Sequence, residues 1–211
     1  EIIQSLPWTT KDLVDIPPEN IVADFIDYPI VQPMQSSKMN VFITNKLQLM
    51  PFIDSFSKIK PVLRAMTSEE MILVTLFGED KSAHMLIVQH AGHEPRILII
   101  RDGQLLLARR LNGFLGISDK ERTHGLVEAL GLEIQRSMDF FESQLKQPPI
   151  RSIQLHCDDL SSLTLRAGLA EFLQVKVVDF KPNIDLAQDL EPSFYYALGA
   201  AYQLTDPDSV L

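Results

Sequence analysis

AHMLIVQHAGHEPRILIIRDGQLLLARRL, residues 83–111, is the stretch that decides the fold. It predicts three consecutive strands, at 83–91, 95–101 and 104–111, because leucine and β-branched residues dominate each run. Asp102-Gly103 separates the last two runs, and Asp-Gly between apolar runs is the strongest short hairpin signal. The run from Ile97 to Ile100 has no polar residue, so we expect its strand to be covered on both faces.

The elements after this meander supply the cover. The patterns predict a long helix to about Gln147, a strand at 152–157, a helix at 163–173, a strand at 175–180 and a closing helix at 194–204. Ile134, Met138 and Phe141 recur at steps of three and four on the long helix, so we expect them to be buried against the meander. The order β-β-β-α-β-α-β-α is that of the ribonuclease-H-like unit, and two such units make the actin-like nucleotide-binding fold. The predicted fold class is therefore α/β, with a mixed sheet.

Residues 1–82 carry weaker signals. They predict a helix over 1–14 that is interrupted near Pro7, strands at 20–31, 40–44 and 61–66, and helices at 45–57 and 68–77. The polar run at 78–82 is the predicted boundary. We therefore expect 1–82 to be the remainder of an N-terminal actin-like half with an inserted small α/β subdomain, and 83–211 to be the C-terminal ribonuclease-H-like half. Since the chain opens inside a helical pattern, we expect the first strands of the fold to lie outside it.

Composition excludes several classes of function. The formal net charge of −9 argues against nonspecific binding to nucleic acid and against adhesion to anionic lipid. No apolar run approaches the length of about 18 residues that a membrane span needs. Cys157 is the only cysteine, so the chain has no internal disulfide and no cysteine-based metal cluster. We expect no metal site, because the histidines form no HExxH motif.

Three groups of polar residues allow two interpretations each. Asp158-Asp159 lies between a strand and a helix, where it could form a paired-carboxylate site or cap the helix. His156-Cys157 resembles a nucleophilic dyad, but adjacent strand residues point to opposite faces, which favours a buried, inert cysteine. The meander arginines could bind phosphate or pair with local acids; they are Arg96, Arg101, Arg109 and Arg110.

Glycine-based phosphate loops are missing from the sequence. There is no GxxxxGK[ST], no GxGxxG and no Asp-x-Gly on the first meander strand. Phosphate cradles need glycine because backbone amides must approach the oxygens closely. A ribonuclease-H-type enzyme would instead need carboxylates converging on magnesium, and the meander interior offers none.

Several segments, among them EIQRSMDFFES at 133–143 and IPPEN at 16–20, resemble the PilM-like type IV pilus assembly proteins, in particular their MSHA-type members. The long-helix segment EIQRSMDFFES, 133–143, carries the most specific part of the resemblance. Leu6-Pro7-Trp8 with the IPPEN segment at 16–20, and ALGAA at 197–201, support it.

The resemblance implies an actin-like protein at the cytoplasmic face of the inner membrane. Its implied partners are the short cytoplasmic tail of a PilN-like membrane protein and other proteins of the assembly platform, with homo-oligomerisation as a further implication. Members that bind ATP carry an Asp-Ile-Gly-like turn where this chain has Gln89–Gly92, and a Gly-Gly pair where it has His156–Asp159. We therefore expect a scaffold that is not an enzyme and binds no cofactor. The alternative is an ATPase or nucleotide-dependent switch that holds ATP with Mg near Gly92 and Asp158.

The partner groove is expected within the inserted subdomain, which corresponds most nearly to 20–66. Short strands there should leave an edge open to strand addition. Phe25, Tyr28, Val41 and Phe42 are the candidate partner-binding residues, and packing of some of them in a core is the alternative.

Overall fold

The computed structural model describes residues 2–30, 36–59, 62–115, 117, 120–157, 162–187 and 190–205. The chain divides into two compact units, residues 1–68 and 69–211.

The first unit is a two-stranded ribbon with helices. Helix α1 (Ile2–Thr10) packs against strand β1 (Ile21–Asp27), which pairs antiparallel with β2 (Met39–Asn45). The predicted interruption at Pro7 is wrong, since α1 runs through it. The carbonyl that Pro7 leaves without a donor is that of Ile3, which lies at the exposed start of the helix, where water can reach it.

Local capping chemistry fixes the second helix of this unit. Helix α2 (Lys46–Ser57) begins where the Asn45 side chain accepts a hydrogen bond of 2.9 Å from the Leu47 amide. The strand predicted at 61–66 is wrong. The described residues from Val62 to Met66 form no strand, and Val62 is 81% exposed.

The second unit contains a five-stranded mixed sheet. Its strands are β3 (His84–Gln89), β4 (Arg96–Arg101), β5 (Gln104–Arg110), β6 (Ser152–Cys157) and β7 (Lys176–Asp179). They lie in the order β5-β4-β3-β6-β7, with β3, β4 and β5 antiparallel in turn and β6 and β7 parallel to β3. This is the order of the ribonuclease-H-like unit, so the sequence-based fold class is confirmed.

The backbone angles of the turn between β4 and β5 confirm the predicted hairpin. Asp102 and Gly103 have φ angles of +53° and +68°, the pair of positive values that a type I′ turn requires. Every residue from Ile97 to Ile100 is buried, as expected of a strand covered on both faces.

Two helix pairs provide the cover. Helix α3 (Glu69–Phe77) packs on α6 (Tyr195–Gln203), and α4 (Lys120–Ser143) packs on α5 (Ser162–Leu173). Ile134 and Phe141 are fully buried on α4, as predicted, whereas Met138 is only half-buried. The division between the units precedes α3, whereas the predicted boundary at 82 follows it. The reason is that Leu73 and Leu76 of α3 are buried within the second unit.

Candidate functional site

The four predicted partner-binding residues lie on the ribbon of the first unit, and all are half-buried. Phe25 stands directly opposite Val41, whereas Phe42 stands opposite Asp24. Because alternate residues of a strand point to opposite faces, Phe25 and Val41 share one face and Phe42 lies on the other. Tyr28 extends the pairing beyond β1, since its amide donates to the Lys38 carbonyl at 3.0 Å. Burial raises the pKa of the Tyr28 hydroxyl.

The ribbon has open edges. Within the part of the chain that the structure describes, β1 and β2 pair only with each other, so each has an outer edge without a strand neighbour. The unit also buries few apolar side chains and exposes many large ones. Leu47 and Phe52 of α2 are 62% and 65% exposed, and no residue of α2 is buried. Such a surface is typical of a unit that binds a partner.

The second place predicted to carry function is the edge of the sheet where β3 and β6 end. The chain order reverses between these two strands, and ligands of open α/β sheets bind at such a point. Gly92 lies there on an exposed turn with φ of +75°, and a Cβ at Gly92 would meet nothing within 4 Å. The backbone therefore makes no close approach that requires glycine for space. Asp158, with Asp159, lies outside the described residues.

A polar cluster that the sequence did not indicate lies at this edge. Its centre is Glu69, the first residue of α3, which accepts hydrogen bonds of 2.5 Å from both His90 and Tyr196. His90 Nε2 also lies 3.0 Å from the Tyr196 hydroxyl. Arg96 completes the cluster by pairing with Glu69 and, at 2.8 Å, with Glu70. Burial lowers the pKa of Arg96 from its ordinary value.

His156 lies next to this cluster but belongs to an aromatic core. Its ring packs against His90, Phe180, Tyr195 and Tyr196 at centroid distances of 5.4 to 6.1 Å. The histidine is buried and Cys157 is half-buried. The surroundings of the ring are those of packed aromatic side chains, which supports the interpretation of this strand end as core.

Several of the described hydrogen-bond donors around the Gly92 turn have carboxylate partners. The amides of Gly113 and Phe114, which could otherwise receive an anion, donate to the carboxylate of Glu94 at 2.9 and 2.7 Å. The positive charge of Arg96 is already matched by Glu69 and Glu70. Among the described residues, two backbone amides and one guanidinium near this turn are thus engaged by carboxylates.

Two of the other meander arginines, Arg101 and Arg109, also have partners. Arg109 pairs with Glu133 at 2.5 Å and donates to the Ser137 hydroxyl at 2.9 Å. Arg136, three residues further along α4, pairs with the same Glu133. Arg101 donates to the neutral amide oxygen of Gln147 at 2.9 Å. The interpretation of these arginines as local ion pairs is thus confirmed for Arg96 and Arg109.

Sequence reasoning missed the Glu69 cluster because its members are far apart along the chain. Tyr196 is 127 residues from Glu69, and no local pattern links them. The one available signal was His90, a titratable residue directly after a buried strand.

No protein-family model matches the chain, and no curated protein matches it. Solved structures do. A chain of the structure described as "PilM-PilN type IV pilus biogenesis complex" is similar over 98% of this chain and 73% of its own length, at 15% identity and a TM-score of 0.68. At this identity the similarity shows the fold, and it agrees with the actin-like class inferred from the sheet order.

Two further structures have lower TM-scores. A Bacteroides thetaiotaomicron protein with an actin-like ATPase fold and unknown function is 14% identical over 96% of this chain and 65% of its own, with a TM-score of 0.49. The cytoplasmic domain of EpsL, an inner-membrane component of the type II secretion system of Vibrio cholerae, is 9% identical over 97% and 64%, with a TM-score of 0.42. In the described part of this chain, no helix combines the length and the apolar character needed to cross a membrane.

Proposed function

We propose that this chain is a PilM-like scaffold, of the MshI type, in an MSHA-type pilus assembly platform. On this proposal it binds the cytoplasmic tail of a PilN-like inner-membrane protein and lies peripherally at the cytoplasmic face of that membrane. The observation that carries the proposal is the shared fold, over 98% of the chain, with a structure whose description names a PilM-PilN complex. The resemblance of residues 133–143 to PilM-like proteins supports the proposal independently.

The ribbon offers a mode of binding. An extended peptide can add as a strand to an open edge, where main-chain hydrogen bonds give affinity and alternate side chains give specificity. Phe25 and Val41, adjacent on one face, would form the apolar contact for every second side chain of the peptide. Tyr28 would add an apolar ring with a polar tip at the end of the strand.

The scaffold acts through contact and without ATP hydrolysis. Glu94 accepts hydrogen bonds from the amides of Gly113 and Phe114, near the Gly92 turn. Arg96 forms ion pairs with Glu69 and Glu70. Little positive potential is therefore left there for a triphosphate. We accordingly expect no cofactor, and contacts with other platform proteins or with further copies of the chain to set its place in the assembly.

Titration with a synthetic PilN-like cytoplasmic tail tests the partner. We expect micromolar binding to the wild-type chain and at least about tenfold weaker binding to Phe25→Ala, the loss typical of a central apolar contact. Phe42→Ala is the matched control, because it removes the same ring from the other face of the ribbon. Equal weakening by both variants would place the peptide elsewhere, and failure of the wild type to bind would remove the proposed function. Thermal melts of all three proteins exclude a loss of folding.

Calorimetry with a non-hydrolysable ATP analogue, with and without magnesium, tests the absence of a nucleotide site. We expect no heat of binding above the dilution control in either condition. Micromolar binding that is lost when Gly92 is replaced by valine would show that the turn holds a phosphate and would overturn this part of the proposal.

A further inference from the structure

The outer side of the α4–α5 pair carries a groove of about 590 Å³. Its floor is Val127, which is buried, and its apolar walls are Leu163 and Phe172, which are 64% and 39% exposed. Among the described residues, one acidic side chain lines it from each helix, Glu128 from α4 and Glu171 from α5. The groove thus combines an apolar seam with a carboxylate on both sides.

Glycine packing builds this groove into the helix pair. A Cβ at Gly131 would lie 2.5 Å from the Phe172 ring, and a Cβ at Gly168 would lie 2.6 Å from a Val127 methyl group. The two contacts repeat at steps of four on both helices, so α4 and α5 run side by side in one register. The floor of the groove is therefore fixed by close contact and needs no rearrangement to receive an occupant.

The two groove carboxylates differ from Glu133, which also lies on α4 and is neutralised by Arg109 and Arg136. Among the side chains that the structure describes, neither Glu128 nor Glu171 forms an ion pair, and both are exposed. Two such carboxylates, in a chain with a net charge of −9, attract an occupant with positive charge.

We propose that this groove binds a basic amphipathic helix of a partner protein. The described residues that line the groove all lie on helices, whose backbone groups are bonded internally, so this surface offers no edge for strand addition and the occupant must contribute side chains. An apolar stripe at helical spacing would fill the seam over Val127, and flanking lysines or arginines would pair with Glu128 and Glu171.

A second copy of the chain does not have this chemistry. Two copies of the chain repel each other because each has a net charge of −9. The helices of the first unit that expose apolar residues also have few basic side chains: α1 contains none, and α2 contains only Lys46. The inference is independent of the proposed pilus function, which places its peptide on the ribbon of the first unit.

Fluorescence anisotropy with designed peptides tests the groove in the full chain. The probe is a labelled helix of about 18 residues, five turns long, with a leucine stripe flanked by lysines. The controls are the same peptide with glutamates in place of the lysines and a scrambled peptide of the same composition. We expect the lysine peptide alone to bind, and Glu128→Lys/Glu171→Lys to weaken that binding at least about tenfold.

The double variant Glu79→Lys/Glu142→Lys is the matched charge control, because both residues are exposed and lie outside the groove. We expect it to change binding by less than about twofold, the effect of a screened, distant charge. Leu163→Ser, at a highly exposed position that should not affect folding, tests the apolar contact and should also weaken binding.

Three results would overturn the proposal. They are equal weakening by the two double variants, equal binding of the glutamate or scrambled peptide, and unchanged binding by the Glu128→Lys/Glu171→Lys variant whose melting temperature is normal. Sedimentation of the protein alone tests whether a second copy of the chain occupies the groove. Self-association that the Glu128→Lys/Glu171→Lys variant abolishes would identify a second copy as the occupant instead.

Discussion

At the scale of single residues, two neighbouring phenylalanines of α4 have opposite environments. Phe141 is fully buried, whereas Phe140 is 45% exposed. Removing a buried phenylalanine ring deletes its transfer free energy and leaves a cavity that the surroundings fill only in part.

We expect Phe141→Ala to lower the free energy of unfolding by about 3–5 kcal/mol. Phe140→Ala, the matched control, should cost well under half of that, because much of its ring already contacts water. Urea denaturation of the full chain measures both. Equal losses in the two variants would mean that the buried face of α4 has been assigned wrongly.

Single residues also differ in whether their surroundings can be predicted from the sequence. Phe141 was predictable because spacing along one helix determines which side chains share a face. The contact of Glu69 with Tyr196 was not, because it depends on how α3 and α6 pack after the sheet has formed. Phe42 was grouped with Phe25 for a related reason: without the pairing of β1 with β2, residue type alone did not reveal that they lie on opposite faces.

At the scale of elements, α4 contains two glycines with opposite surroundings. Gly131 faces the Phe172 ring so closely that an added methyl group would clash, whereas a Cβ at Gly125 would meet nothing within 4 Å. Both lie in helical backbone, where glycine is less favourable than alanine.

We therefore expect alanine to have opposite effects at the two positions. Gly125→Ala should raise the free energy of unfolding by about 0.5–1 kcal/mol through helix propensity and reduced freedom of the unfolded chain. Gly131→Ala should lower it by about 1–3 kcal/mol, because overpacking forces α4 and α5 apart or moves the ring. Thermal and urea melts measure both changes, and stabilisation by Gly131→Ala would show that the helix seam is looser than described.

Elements also differ in how well the sequence specified them. The observed bounds of β6 match the prediction to the residue, and those of β4 and α3 differ from it by one, since turns and caps at their ends are chemically distinct. The strand predicted at 61–66 had residue types that favour strands, but its described residues pair with no other strand. Strand formation depends on pairing with residues that a local pattern does not contain.

At the scale of the whole molecule, buried apolar residues are distributed unevenly between the two units. Among the described residues, the first unit buries Leu6, Ile21 and Ile30, and almost all of the remaining buried apolar side chains belong to the second. The exposed segment after α2 connects the two and has no regular secondary structure in its described part, 62–68.

Limited trypsin digestion of the full chain should therefore cut first in this connection, after Lys58 or Arg64. We expect a resistant product that begins at Ile59 or Ala65 and retains the second unit, identified by mass spectrometry. The exposed Lys81 is the internal comparison, since hydrogen bonds of Asp80 to Ser82 and Asp102 hold its loop. Earlier cleavage after Lys81 would contradict this division of stability.

The consecutive pairing of β3, β4 and β5 has a consequence for the order in which the molecule forms. These strands pair with chain neighbours through short turns, whereas β6 reaches β3 only after the whole of α4 has been made. Short loops close at low entropic cost, so local hairpins form early and long-range parallel pairs form late. In pulse-labelled refolding, amides at 84–110 should gain protection before those at 152–179. A chain leaving the ribosome would accordingly hold a finished three-stranded meander, with one edge of β3 open, until β6 arrives to close it.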